Sequence, residues 1–238
     1  MQQFFQLFDF SGAQNYMPEI LLGAAITIEL TICVSVLCLI IGMIIALLRL
    51  SRVRILRLAA GVYVEALRGT PLLLQLFYVY FVLPAVGLRI PAFAAGVIAL
   101  TLNYSAYVSE VYRAGIKAVP KGQVEAAHAL GLSRGRTMRL VVLPQAMRIV
   151  IPPLGNYFIS LFKDTALAST ITVHELMFSG QDIASTNFQY FAVYTIIGLI
   201  YLFMSYPGSL FVQYLERRME VGYATPRAAR AAEVSQPS

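Results

Sequence analysis

Blocks of apolar residues long enough to cross a lipid bilayer dominate this chain, and they exclude most soluble folds. The run from Pro18 to Leu50 holds Glu29 as its only ionisable interior residue. A crossing helix needs ~20 such residues, so this block alone more than suffices. Similar blocks cover about Leu56–Leu83, Pro91–Tyr112, Leu140–Leu161 and Phe188–Leu215. They do not alternate apolar and polar, and they are about twice the length of a membrane barrel strand. The pattern predicts an all-α membrane protein with five transmembrane helices. Composition agrees: of 238 residues, 58% are hydrophobic and only 13% charged, against about a quarter charged in soluble domains.

Charge placement gives a direction. The first connection carries Arg49, Arg52, Arg54 and Arg57, and the second only Arg89. Arg113, Lys117, Lys121, Arg134, Arg136 and Arg139 belong to the third, while the fourth holds Glu175 and Asp182 without a basic residue. The tail is basic again, with Arg217, Arg218, Arg227 and Arg230. Cytoplasmic loops collect Lys and Arg, so the N-terminus is expected outside and the C-terminus inside, as an odd helix count requires. The net charge of +6 is then loop charge, and no nucleic-acid-binding face is expected. Residues 1–18, with Phe4, Phe5, Phe8 and Phe10, read as a periplasmic segment anchored at the headgroups. They lack the basic start and small-residue cleavage site of a secretory signal. Residues 19–218 form the transmembrane domain. Residues 219–238, rich in Ala, Arg, Pro and Ser towards their end, read as a disordered cytoplasmic tail. Cys33 and Cys38 face different directions on one helix and suit neither a disulfide framework nor a metal site.

The cytoplasmic stretch 114–143 is far longer than an ordinary helix connection, and it has internal order. Pro120 can open a helix, and Lys121–Leu130 are good helix formers with Val124, Ala127 and Leu130 at i, i+3 and i+6. Gly131 stops the helix where a left-handed residue is needed, and Ser133 is placed to cap the next one. A short helix between two spans suits either docking of a partner or an interfacial position favoured by its arginines.

Specific motifs extend this reading. Glu125-Ala126-Ala127, then Gly131, then Leu143-Pro144 resemble the signature loop of permease subunits in binding-protein-dependent ABC importers. Glu65-Ala66-Leu67-Arg68-Gly69-Thr70-Pro71 through Gln75 is similar to the second-helix signature of the polar-amino-acid (histidine/glutamine-type) branch. So are Ser109–Ile116 and the run from Pro152-Pro153 to Lys163-Asp164-Thr165, with Ala166 where the branch usually has Ser. The resemblance covers residues 19–218. It implies a type I importer fold in the bacterial inner membrane, with Glu125, Ala126, Ala127 and Gly131 coupling to an ABC ATPase dimer. It also implies a periplasmic amino-acid-binding protein and a second permease subunit, identical or similar, beside the membrane lipid. ATP and Mg2+ would be used by the ATPase; no cofactor, metal or catalytic residue is expected in this chain.

Polar residues at membrane depth are costly and mark candidate substrate contacts. Arg68 and Gln75, seven apart, fall near one face of a continuous second helix, and Glu65 can pair with Arg68. Asn103, Tyr107 and Glu110 form a stripe on the third helix. Asn156, Ser160 and Lys163 form another on the fourth, with Asp164 beside them. Glu29 either binds a cationic substrate group or hydrogen-bonds across helices. Gln75 and Asn103 read as interhelical bonds or as ligands. Pro152 and Pro153 are expected to break the fourth helix. Gly61, Gly69, Gly96 and Gly155 offer close helix approach.

The function read from these features is a non-enzymatic permease subunit for a polar amino acid. No Gly-rich phosphate loop ending in Lys and Ser/Thr occurs, so energy must come from another chain. An intramembrane enzyme is disfavoured because His128 and His174 fall on opposite sides of the membrane. A channel or secondary transporter is the alternative; it would work without an ATPase.

Overall fold

The computed structural model describes residues 13–220, and every regular element among them is helical. Helix α1 spans Ala13–Leu50, α2 Arg54–Arg68, α3 Leu72–Phe77, α4 Ala92–Ala118 and α5 Lys121–Ala129. After a single turn, α6 (Arg134–Thr137), come α7 (Leu143–Asp164), α8 (Leu176–Asn187) and α9 (Tyr190–Glu220). The Phe-rich start and the tail beyond residue 220 lie outside the described residues.

Three of these helices, α1, α4 and α9, are each long and apolar enough to cross a membrane alone. The second predicted span is not continuous. It breaks at Gly69–Pro71, and the halves Arg54–Arg68 and Leu72–Val86 meet at 104°. The cause is local. Pro71 holds its predecessor out of the α region and has no N–H to continue the ladder to Leu67 O. Gly69 N–H donates to Glu65 O (2.8 Å) and Thr70 Oγ1 to Ala66 O (2.9 Å). Arg68 and Gln75 therefore do not share one helical face. Conversely, Pro152 and Pro153 do not break α7, which runs through both. Membrane helices tolerate such prolines when neighbouring groups satisfy the freed backbone.

The interior is a layered bundle. Helix α1 packs along α4; α4 and α9 both pack against α7. Leu30, Val34, Leu76, Leu100, Val108 and Leu161 are fully or almost fully buried between these elements. Between membrane helices such packing acts through van der Waals contact rather than expulsion of water. At Gly155 a Cβ would stand 2.6 Å from Val212 Cγ2, so α7 and α9 touch only because that side chain is absent. Gly96 would make ordinary contacts, Gly69 ends α2, and Gly61 faces open space.

Helix α8, absent from the sequence expectations, is fastened by Glu175. This residue is completely buried, and its carboxylate accepts bonds from Phe178 N (2.8 Å), Tyr201 OH (2.8 Å) and Thr27 Oγ1 (3.3 Å). It joins the connection after α7 to both α1 and α9.

Candidate functional site

The break after α2 creates the site. Leu67 O, left without a helical donor, accepts bonds from Gln75 Nε2 (2.8 Å) and Asn103 Nδ2 (3.3 Å). Asn103 also donates to Gln75 Oε1 at 3.1 Å, and Gln75 donates to Thr70 Oγ1 at 2.8 Å. Gln75 and Asn103 thus hold the bend open. Their bonds satisfy backbone that would otherwise be costly at this depth.

Beside the bend is a cavity of about 430 Å³, bordered by the turn Gly69–Leu72 and by Arg68, Asn103, Tyr107, Ser160 and Asp164. Its volume is in the roughly 300–1,000 Å³ range of small-molecule sites. Five of the sequence-selected residues therefore meet at one cavity. Asp164 ends α7 and accepts a 2.7 Å bond from Tyr104 OH. Burial of Tyr104 on α4 fixes that donor, and Tyr157 stacks edge-on to it with centroids 6.4 Å apart. Arg68 lies over the Tyr107 ring, 5.2 Å from its centroid, an arrangement that favours a cation. It forms no ion pair with Glu65. One wall thus offers an anion and the other a cation.

The remaining sequence candidates lie elsewhere. Glu110 does not border the cavity; it pairs with Arg49 and Arg113, tying the ends of α1 and α4 together. Lys163 is exposed outside the cavity, and Glu29 is exposed on the outer face of α1. Asn156 lies one groove further along α7, where its Nδ2 donates to Glu216 Oε1 at 3.0 Å. Sequence reasoning missed Tyr104, which reads as an ordinary core aromatic. It also missed Glu216, which lies among tail charges. A second cavity of about 230 Å³, lined by Cys38, Val108, Phe158 and Leu215 among others, is almost wholly apolar.

Helix α5 ends as the sequence suggested, although Leu130 is 82% exposed rather than part of a packed stripe. Gly131 has φ +77°. Its N–H donates to His128 O (2.9 Å) and Leu132 N–H to Ala127 O (3.1 Å), the paired bonds of a Schellman turn. Ser133 stands at the cap of α6, but its hydroxyl makes no capping bond. Glu125 and Ala126 are exposed, whereas Ala127 is buried. Val124 packs on Val119, Val142 and Ala146, so α5 rests on the end of α4 and the start of α7.

Comparison with known proteins agrees with this architecture. The model of the binding-protein-dependent transport system inner membrane component family matches residues 38–221. The L-cystine transport system permease protein TcyB of Bacillus subtilis is 44% identical over 208 residues, 87% of this chain and 89% of that protein. The glutamine transport system permease protein GlnP of Escherichia coli K12 is 37% identical over 216 residues, covering 90% and 99%. A crystal structure of an amino acid ABC transporter with histidines superposes with a TM-score of 0.84 at 41% identity, over 88% of this chain and 98% of that one.

Proposed function

Because the chain belongs to the family of inner-membrane components of binding-protein-dependent transport systems, we propose that the cavity around Asp164 is where a free amino acid passes. The chain is a permease subunit of an ATP-driven amino-acid importer; it is not an enzyme, and hydrolysis is carried by a separate ATPase. The carrying observation is the opposite charge of the two walls, Asp164 held by Tyr104 and Arg68 over Tyr107. An α-amino acid is a zwitterion, so its ammonium suits Asp164 and its carboxylate suits Arg68. Cystine and glutamine, named for the relatives, share that pair of groups and differ beyond it.

In this reading α1, the bent pair α2–α3, α4, α7 and α9 are five crossings, with the N-terminus outside and the tail inside. Residues 19–218 are the transmembrane domain, flanked by a periplasmic segment (1–18) and a cytoplasmic tail (219–238). A periplasmic binding protein delivers the amino acid, and a second permease subunit, identical or similar, completes the wall of the path. Segment 114–143 presents α5 to the ATPase dimer, where ATP and Mg2+ are used; this chain binds no cofactor. Glu125, Ala126 and Gly131 meet the ATPase, and Ala127 seats α5 on its own chain.

Uptake by the complex reconstituted in liposomes tests the cavity. A hydrogen bond to a charged group contributes about 1.5–3 kcal/mol, so Asp164→Asn should lower uptake efficiency about ten-fold or more. Unchanged uptake by a normally assembled Asp164→Asn complex would remove the cavity from the path.

A further inference from the structure

The groove beyond the cavity holds a second carboxylate, Glu216, on α9. It has a volume of about 360 Å³ and is bordered by Pro152, Pro153, Asn156, Tyr157, Ser160 and Glu216. Tyr157 and Ser160 also border the cavity around Asp164, so the two spaces adjoin. Asn156, Ser160 and Asp164 follow at i, i+4 and i+8 on α7 and form one polar stripe. Eight residues of helix advance about 12 Å, so the two sites are distinct positions along α7. The prolines add acceptors. Having no N–H, they leave the carbonyls of Arg148 and Ile149 without their helical donors.

We propose that Glu216, with Asn156, forms a second binding site on the inner side of Asp164, which receives the substrate ammonium before release. The inference rests on the cavity around Asp164 being the path. A carboxylate at one end of a polar stripe would hold an ammonium too long if nothing further along competed for it. Glu216 supplies that competitor, and Ser160 with Tyr157 line the step between the two. The neighbouring Arg217 and Arg218 are exposed, so the inner carboxylate is weakened as an anchor and the substrate can leave.

The rival explanation is a helix clamp, in which the 3.0 Å bond between Asn156 and Glu216 only joins α7 to α9. Two substitutions separate the two. Glu216→Gln keeps an acceptor for Asn156 but removes the charge, whereas Asn156→Ala keeps the charge and removes the bond. The reconstituted complex with its binding protein is assayed for uptake of a labelled mixture of the common amino acids and cystine, alongside stimulated ATP hydrolysis and co-purification of subunits. The expected result is a five-fold or greater fall in uptake per ATP hydrolysed for Glu216→Gln, with stimulation and assembly retained and a smaller fall for Asn156→Ala. The reverse order, with Asn156→Ala impaired in assembly or uptake and Glu216→Gln normal, overturns the inner site. An Asp164→Asn complex with normal uptake instead defeats the outer cavity, and the inner site with it. Absence of wild-type uptake for every compound does the same.

Discussion

Substitution of Gly131 isolates what the turn after α5 contributes. A Cβ at this position would meet nothing within 4 Å, so a side chain costs no packing inside this chain. The whole internal penalty comes from φ +77°. For alanine that is about 1–2 kcal/mol, equivalent to about a 5–30-fold loss in the population of the turn. Asparagine and aspartate visit this region more readily, so Gly131→Asn and Gly131→Asp should strain the turn less than Gly131→Ala. If α5 fits a groove of the ATPase, size and charge matter more than strain. The expected order of damage is then Asp worst, Asn intermediate and Ala mildest, all with normal abundance in the membrane. The assay is stimulation of ATP hydrolysis by loaded binding protein, with co-purification of the ATPase as the control for assembly. Damage greatest in Gly131→Ala would show that only backbone strain matters. Normal stimulation and assembly in Gly131→Asp would refute α5 as the coupling element.

Tyr104→Phe removes the donor that holds Asp164 and should reduce uptake about ten-fold while leaving the protein folded; an unchanged rate would detach Tyr104 from the site. Glu29→Gln should leave uptake kinetics unaltered, because Glu29 lies outside the cavity, and a changed substrate preference would contradict that placement. A cysteine replacing the exposed Asp182 should react with an impermeant reagent from the periplasmic side, and labelling from the cytoplasm would reverse the topology. Glu175→Ala strands the Tyr201 hydroxyl and Phe178 N–H, while Thr27 keeps its bond to Gly23 O; at about 1–3 kcal/mol for each unsatisfied buried group, it should lower thermal stability in detergent by several degrees. A melting temperature equal to wild type would show that Glu175 fastens nothing.

The spans were readable where length and hydropathy act alone, as in α1 and α9. The bend after α2 was not, although its cause was in plain view as Gly69-Thr70-Pro71. A proline there is compatible with a kink or a full break, and only the side chains of Gln75 and Asn103, which donate to the freed Leu67 carbonyl, decide between them. Those partners are far apart in sequence, so no local rule joins them. The same applies to Asp164. Its residue type marks it as a candidate, but the Tyr104 donor comes from another helix. Helix α8 escaped notice because its apolar positions are few and its fastening, through Glu175 to Thr27 and Tyr201, is entirely tertiary. Gly131, by contrast, was legible because a Schellman turn depends on residues adjacent in sequence.

The bend at Gly69–Pro71 also bears on how the chain is made. The segment after the bend, Leu72–Val86, falls short of the ~20 residues that cross a bilayer unaided. The segment before it carries Arg54, Arg57, Glu65 and Arg68 and is a poor independent insert. Leu67 O is served partly by Asn103, which leaves the ribosome more than thirty residues later. Gln75, only eight residues on, can reach Leu67 O at once, whereas the second donor comes only with α4. The bend is therefore satisfied in two steps, first locally by Gln75 and then across the bundle by Asn103.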